Sequence, residues 1–423
     1  RMEGQKGQES QEPLSTEEYM RYSRQLIMPT IGLQGQQKIK SAKVLLIGAG
    51  GLGSPAALYL SGAGVGTLGL VDADVVDESN LHRQVIHTEK NVGVKKVESA
   101  RGQIGLFNRH TRVVAIDARL NSENAMDIIG SKEHHWDIVM DGSDNAATRY
   151  LINDACVIYN IPLVSGSALQ WEGQVTVLNY LDGPCYRCLY PKPPPAEAVT
   201  NCSDGGVIGM VPGIIGNLQA IEVLKIILGV DKEDVLWRRM IFFDALSMRF
   251  RNVKLRERNA SCLACGPDTP PDLKIKDTRS IDYLEFCQTK CSIYDKILLP
   301  PDNEATPSEF MEALGADFEK EKRVMLIDVR PAVQFGIVNT NQSEAISQKV
   351  TAQNVELRNL DSLSEKICSA DQVFIMCRRG NASKVATQTI LSDEKGIFKG
   401  FKNVKNIKGG IEKIREEVDP TLP

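Results

Sequence analysis

Three groups of residues carry reactive chemistry in their types and spacing. Cys185-Tyr186-Arg187-Cys188 and Cys262-Leu263-Ala264-Cys265 are two C-x-x-C pairs, each able to present two thiolates to one tetrahedral ion. Four cysteines with no fifth ligand point to a closed structural zinc site, although their separation exceeds that of a zinc ribbon and redox pairs or core thiols share the same spacing. Cys202 stands apart from other cysteines in Thr200-Asn201-Cys202-Ser203-Asp204-Gly205-Gly206, a polar, glycine-rich loop after the prolines of 191–195. An exposed thiolate there is a nucleophile toward an activated acyl group, and an inert loop thiol is the plainer alternative. Cys377-Arg378-Arg379-Gly380-Asn381-Ala382-Ser383 follows an apolar strand and opens a helix. Successive N–H groups around such a loop form an anion-binding nest, which favours thiolate and would hold a persulfide, Cys–S–S⁻. A cysteine phosphatase loop has five residues between Cys and Arg, whereas Arg378 is adjacent to Cys377. Cys156, Cys287, Cys291 and Cys368 read as packing or connector thiols.

A second constellation concerns nucleotide. Gly48-Ala49-Gly50-Gly51-Leu52-Gly53 is a G-x-G-x-x-G turn between a strand and a helix, where glycines let backbone N–H groups approach phosphate. Asp72 ends the next strand and is placed to meet ribose hydroxyls. Alone, this pattern suits a dinucleotide dehydrogenase. The residues that follow argue otherwise: Ser79-Asn80-Leu81-His82-Arg83-Gln84, then Lys96, then Asp141-Gly142-Ser143-Asp144-Asn145 after a strand. Hydride transfer needs few such charges. Moving an adenylyl group from ATP to a carboxylate needs cations, here Arg83 and Lys96, to hold phosphates, and an acid, here Asp144, for Mg²⁺. Singly, each reads as part of a solvated ion-pair face.

Elements that would position these residues follow from periodicity. Apolar runs at 44–47, 68–71, 113–116, 138–140 and 163–164 alternate with helical stretches such as 52–63, which predicts an α/β, doubly wound, mostly parallel sheet. Strands near 174–179, 240–243 and 250–255 follow, with a helix within 207–230. That stretch holds Pro212, Asn217, Gln219, Glu222 and Lys225, so it reads as a buried helix and no membrane span. The first domain is expected over 14–266. Residues 267–303 form a proline-bearing linker with a docking segment around Tyr283, Phe286 and Cys287, and a smaller α/β domain covers 304–423. At 423 residues with a formal net charge of −4, the chain has ample core and no surplus that would mark nucleic acid or an anionic membrane as partner. Ten cysteines are too few for a disulfide scaffold, and residues 1–18 lack an apolar signal core; both predict the cytoplasm.

Tyr22-Ser23-Arg24-Gln25, the 48–53 turn, Asp72 with Asp74, Ser79 to Arg83, Lys96 and Asp144-Asn145 resemble, in order, the adenylation domain of ubiquitin-activating enzymes and their bacterial relatives. The resemblance covers about 14–266. It implies ATP with Mg²⁺, a tetracysteine zinc site, a nucleotide site including Gly51, Asp72, Ser79, Asn80, Leu81, His82, Arg83, Lys96, Asp144 and Asn145, and a reactive cysteine at Cys202. It also implies a homodimer in which Arg24 reaches the neighbouring subunit's ATP. The Cys377 loop, Asp328-Val329-Arg330-Pro331 and Gly409-Gly410 resemble a rhodanese sulfurtransferase domain, with Gly336-Ile337-Val338-Asn339 departing from its usual glycine-histidine-isoleucine stretch. Together the two halves resemble the eukaryotic sulfur-carrier activating enzymes of tRNA thiolation and molybdenum-cofactor synthesis. The implied partners are a ubiquitin-related modifier ending in Gly-Gly and a separate persulfide donor such as a cysteine desulfurase. A dehydrogenase and a zinc-stabilised binding scaffold are the rival expectations.

Overall fold

The computed structural model describes residues 13–193, 205–287, 297–319 and 322–422, and Cys202 and Cys291 lie outside them. The chain divides into two compact units, Arg1–Gln288 and Thr289–Pro423.

In the first unit the strands are β1 (Lys43–Ile47), β2 (Thr67–Val71), β3 (Arg112–Ile116), β4 (Ile138–Asp141), β5 (Leu163–Leu169), β6 (Glu172–Leu178), β7 (Arg239–Asp244) and β8 (Arg249–Lys254). They form one sheet in the order β3-β2-β1-β4-β5-β6-β7-β8. The first five are mutually parallel, and β6 to β8 add antiparallel hairpins. Parallel strands are covered on both faces, so β1 and β4 are nearly continuous apolar runs, buried throughout apart from partly exposed Lys43. One apolar layer joins Val44, Leu46, Leu68 and Ile138 to the helices Gly53–Ala63, Lys96–Phe107 and Met210–Leu228. The opposite layer joins Leu45, Ile47 and Val139 to the helix Ala146–Ile158.

The helix Met210–Leu228 meets the length and apolarity of a membrane span. Two of its polar residues nevertheless make hydrogen bonds inside the unit. Gln219 Nε2 donates to the carbonyls of Asp141 (2.8 Å) and Val164 (3.1 Å), and Glu222 Oε2 accepts the Leu236 N–H at 2.7 Å. Those bonds offset part of the cost of polar groups in a core helix, although Gln219 Oε1 and Asn217 Oδ1 are buried without a partner among the described residues.

The first unit runs beyond the expected end near Gly266. A short helix, Tyr283–Phe286, is capped by Asp282, and Tyr283 and Cys287 are buried against the helix Ala146–Ile158. The expected docking segment around Tyr283, Phe286 and Cys287 thus packs on the core of the first unit.

In the second unit all five strands are parallel, in the order β11-β10-β12-β13-β9, with β9 (Glu304–Ala305), β10 (Val324–Asp328), β11 (Ala352–Asn354), β12 (Gln372–Met376) and β13 (Val404–Ile407). Apolar layers lie on either face, one around Phe310 and Phe374, the other around Ile327, Ile375 and Ile390.

Candidate functional sites

The order of the first sheet reverses between β1 and β4, and in an open α/β sheet ligands bind outside the strand ends at that point. The glycine turn leaves β1 there. Gly48 has φ +99°, and a Cβ on it would lie 2.9 Å from the Gly142 carbonyl; a Cβ on Gly53 would overlap the Gly48 carbonyl. The two glycines thus let the turn fold back onto the helix Gly53–Ala63 and touch the segment leaving β4. A Cβ on Gly51 would meet Pro212 and Arg83, so both border the turn. N–H groups of a helix's first turn have no intrahelical acceptor, and anions are favoured there.

The carboxylate of Asp72 grips this turn: Oδ2 accepts the Ala49 N–H at 2.8 Å and Oδ1 the Asp74 N–H at 2.9 Å. Lys96 is buried, with Nζ 3.0 Å from the exposed Asp74. Ser79 and Asn80 lie in a short 3₁₀ turn, followed by Leu81 and exposed His82. Arg83 is held by Asn80 Oδ1 (2.5 Å) and the Ser79 carbonyl (3.3 Å). Asn145 caps the helix Ala146–Ile158 through Thr148 N–H (2.9 Å) and reaches Asp144 at 3.3 Å. The two acids after β4 differ in what is left for a ligand. Asp141 is buried and accepts from Ser143 N (2.8 Å), Ser143 Oγ (2.6 Å) and Ser165 Oγ (3.0 Å). Asp144 is exposed, which suits a hard cation that keeps several waters.

A residue that sequence reasoning passed over supports the turn from below. His87 is buried, with Nε2 3.0 Å from the Ala49 carbonyl and Nδ1 2.9 Å from Ser99 Oγ. A carbonyl only accepts, so Nε2 carries a proton, and in the neutral ring Nδ1 accepts from the Ser99 hydroxyl. Burial lowers its pKa below the ordinary 6.5. Its neutral form contributes stability that is complete above the unfolded value and is lost as pH falls below it. The melting temperature of the first unit should therefore drop more steeply from pH 7 to pH 5.5 in the parent protein than in His87→Gln. Parallel melting curves across that range would contradict this assignment. In the sequence His87 stands between Val85-Ile86 and Thr88-Glu89-Lys90, with no spacing that marks it.

The Tyr22 to Gln25 motif splits into two roles. Tyr22 is buried and accepts from Asn108 Nδ2 at 2.9 Å, and Gln25 Nε2 donates to Gln36 Oε1 (2.7 Å) and the Ala63 carbonyl (3.0 Å). Arg24, between them, is exposed.

The four cysteines of the paired motifs come together. Cys185, Cys188, Cys262 and Cys265 are buried, with all four sulfurs within 4.8 Å of one another. The Sγ–Sγ separations are 3.8 Å for Cys185–Cys188, 3.6 Å for Cys185–Cys262 and 3.3 Å for Cys188–Cys265. A Zn–S bond of 2.3 Å sets a tetrahedral edge of about 3.8 Å, so the donor set fits zinc. Hydrogen bonding from Cys185 and Cys188 holds the Cys262 thiol far below the usual range, while Cys188 and Cys262 push Cys185 up. Between the first two ligands, Arg187 pairs with buried Asp154 (Nε–Oδ1 2.8 Å, Nη2–Oδ2 2.7 Å) and lies over Tyr150 and Phe286 at 4.9 and 4.7 Å. The Tyr283 hydroxyl donates to the same Asp154 at 2.8 Å. Arg187 thereby ties the cysteine cluster to the short helix that ends the unit, a role its position inside C-x-x-C did not advertise.

In the second unit, Cys377 is buried at the end of β12. Gly380 N–H reaches its sulfur at 3.2 Å and Ser383 Oγ at 3.3 Å, while Ser383 also lies 2.6 Å from Asn406 Oδ1. The hydroxyl has one proton, so serving the sulfur means releasing Asn406. Gly380 (φ +87°) turns the loop into the helix Asn381–Ser392. Gly409 and Gly410 close over it: Ile411 N–H donates to the Cys377 carbonyl at 2.8 Å, and a Cβ on Gly410 would collide with that carbonyl. Upstream, Arg330 pairs with Asp328 (Nη2–Oδ2 2.6 Å) in the core and donates to the Val338 carbonyl at 2.7 Å. Asn339 caps the next turn in a capping box with Gln342. The departing 336–339 stretch is thus closed around Arg330. Cys156 and Cys287 are buried, and Cys368 is half-buried, as packing thiols should be.

Residues 22–264 match the ThiF family and residues 307–417 the rhodanese-like domain. The chain is 44% identical over 97% of its length to an "adenylyltransferase and sulfurtransferase MOCS3" of Culex quinquefasciatus, of which it covers 90%. It is 42% identical over 97% of its length to the Dictyostelium discoideum protein of that name, covering 97% of it. It is also 42% identical over 99% to "adenylyltransferase and sulfurtransferase uba4" of Aspergillus niger, covering 90%. Among solved structures, E. coli MccB with a MccA peptide variant aligns over 60% of this chain and 75% of that one, with TM-score 0.51 and 22% identity, a likeness of fold. The chain belongs to the ThiF family and, with a rhodanese-like domain on the same polypeptide, to its adenylyltransferase and sulfurtransferase members.

Proposed function

We propose that the chain adenylates the terminal glycine of a ubiquitin-related sulfur carrier and converts it to a thiocarboxylate, for tRNA wobble-uridine thiolation and also for molybdopterin synthesis or protein conjugation. What supports this reading is the pairing, on one chain, of a glycine turn at the switch point of the sheet, bordered by Arg83, with a buried cysteine whose sulfur meets the Gly380 N–H and the Ser383 hydroxyl.

The carrier's carboxylate attacks the α-phosphorus of ATP, and pyrophosphate leaves with the electron pair. Arg83 and Lys96 hold phosphates, the 48–53 turn receives them, and Asp72 meets the ribose. Asp144 would hold Mg²⁺, which when bound neutralises phosphate charge. Arg24, exposed between two anchored neighbours, would reach a second subunit's nucleotide in a homodimer. The Cys202 thiolate then attacks the acyl carbon and AMP leaves. Cys377, loaded as a persulfide by a separate donor protein, displaces Cys202 from the acyl carbon with its terminal sulfur, and a thiol reductant cleaves the resulting acyl disulfide to free the thiocarboxylate. Cys185, Cys188, Cys262 and Cys265 would hold structural zinc. Four buried thiols without disulfides suit the reducing cytoplasm.

The test is ATP–pyrophosphate exchange with a panel of modifiers ending in Gly-Gly. Exchange should appear with at least one modifier and fall by on the order of 100-fold in Arg83→Ala. A protein that binds NAD and makes no AMP with any member of the panel would instead be a dehydrogenase, and one that binds ATP without turnover a scaffold.

A further inference from the structure

The two arginines beside Cys377 share one acid. Arg378 Nε lies 2.6 Å from Glu412 Oε1 and Arg379 Nε 3.0 Å from Glu412 Oε2, so each carboxylate oxygen serves one guanidinium. Glu412 stands in the first turn of the helix Gly410–Glu417, immediately after the glycines that close over the cysteine loop. Its backbone is fixed to that loop as well, since its N–H donates to the Arg378 carbonyl at 3.2 Å. All three side chains are partly exposed, in contact with solvent at the rim of the sulfur site. Two guanidinium groups next to a nucleophilic sulfur form a fork for oxyanions, because planar N–H pairs match such groups bidentately. With the carboxylate bound to both, the net charge of the pair is halved.

We propose that Glu412 is a specificity-determining residue of the sulfur site: its clasp on Arg378 and Arg379 withholds from small divalent sulfur anions, thiosulfate above all, the cationic pair that would bind them. This rests on the reading of Cys377 as the sulfur-carrying residue. Loading from thiosulfate is a displacement. The Cys377 thiolate attacks the outer sulfur, the S–S bond of thiosulfate breaks, and sulfite leaves with the electron pair, giving Cys–S–S⁻. Cyanide then takes the terminal sulfur as thiocyanate and returns the thiolate. Thiosulfate needs cations to offset its approach to an anionic sulfur, and the clasp engages both of them.

The experiment measures thiocyanate formation by the full chain with thiosulfate and cyanide. Glu412→Gln keeps the side-chain shape and removes the charge. It should lower KM for thiosulfate about 5- to 10-fold, with kcat changing less. The gain should shrink with added salt, because the groups are exposed. Glu412→Asp, which keeps the charge, should stay nearer the parent, and replacing both arginines by glutamine in the Glu412→Gln background should abolish the gain. A purely structural role would lower kcat or melting temperature and leave no reason for KM to fall. An unchanged or raised KM in a folded Glu412→Gln protein overturns the clasp and leaves Cys377 as the sulfur carrier. Absence of thiocyanate from parent and variant alike, at any thiosulfate concentration, also overturns the clasp, whereas the reading of Cys377 as sulfur carrier falls only if Cys377→Ser still yields thiocarboxylate with a donor protein.

Discussion

Cys377→Ser should reduce thiocarboxylate formation by roughly a thousandfold or more while leaving ATP–pyrophosphate exchange within about twofold of the parent. The asymmetry follows from the chain's division. Cys377 and all its neighbours, Gly380, Ser383, Asn406 and the Gly409-Gly410 turn, lie in the second compact unit, whereas the glycine turn, Arg83, Lys96 and Asp144 lie in the first. Oxygen in place of sulfur forms no persulfide, so the loss is one of chemistry and not of packing. Mass spectrometry of the modifier reads the thiocarboxylate directly, and radiolabelled pyrophosphate reads exchange. Equal loss of both would mean that the serine disturbs more than the sulfur, and undiminished thiocarboxylate would remove Cys377 from the reaction.

The second large effect belongs to the cysteine cluster. Cys185 and Cys262 are 77 positions apart, so an ion held by both pairs closes a long loop. By analogy with a cross-link of that span, loop closure alone is worth about 4 to 5 kcal/mol, and bound zinc contributes its ligation energy to folding besides. Cys262→Ser, or prolonged chelation, should strip metal from the protein and lower the first melting transition by well over 10 °C. The second unit, which has its own two-layered core, should melt as before. Elemental analysis and calorimetry check this together. A first transition unmoved by complete metal loss would make the four thiols ordinary core residues.

Much of this architecture is written in short-range pattern. The runs Val44-Leu45-Leu46-Ile47 and Val373-Phe374-Ile375-Met376 are apolar on both faces, as a strand covered on both sides requires, and they lie in β1 and β12 respectively. The paired C-x-x-C spacings were legible for the same reason: two thiols three positions apart converge without help from distant chain. What was not legible depends on contacts between remote elements. His87 beneath Ala49, Asp154 beneath Arg187 and Glu412 between two arginines are ordinary polar residues until the sheet brings them together. The segment after Gly266 reads in sequence as a linker with a docking segment, but what it docks on was not legible, because Tyr283 and Cys287 are held by the distant Asp154 and the helix Ala146–Ile158.

Asp72 has a consequence for how such a protein changes over generations. One oxygen of its carboxylate pins Ala49 and the other pins Asp74, so the acid that would recognise the sugar is also the fastener of the phosphate turn. A mutation that altered sugar preference would loosen the triphosphate's seat in the same step. Shifts in nucleotide choice would therefore demand two coordinated changes, and a lineage taking them one at a time would pass through an intermediate that grips neither part well.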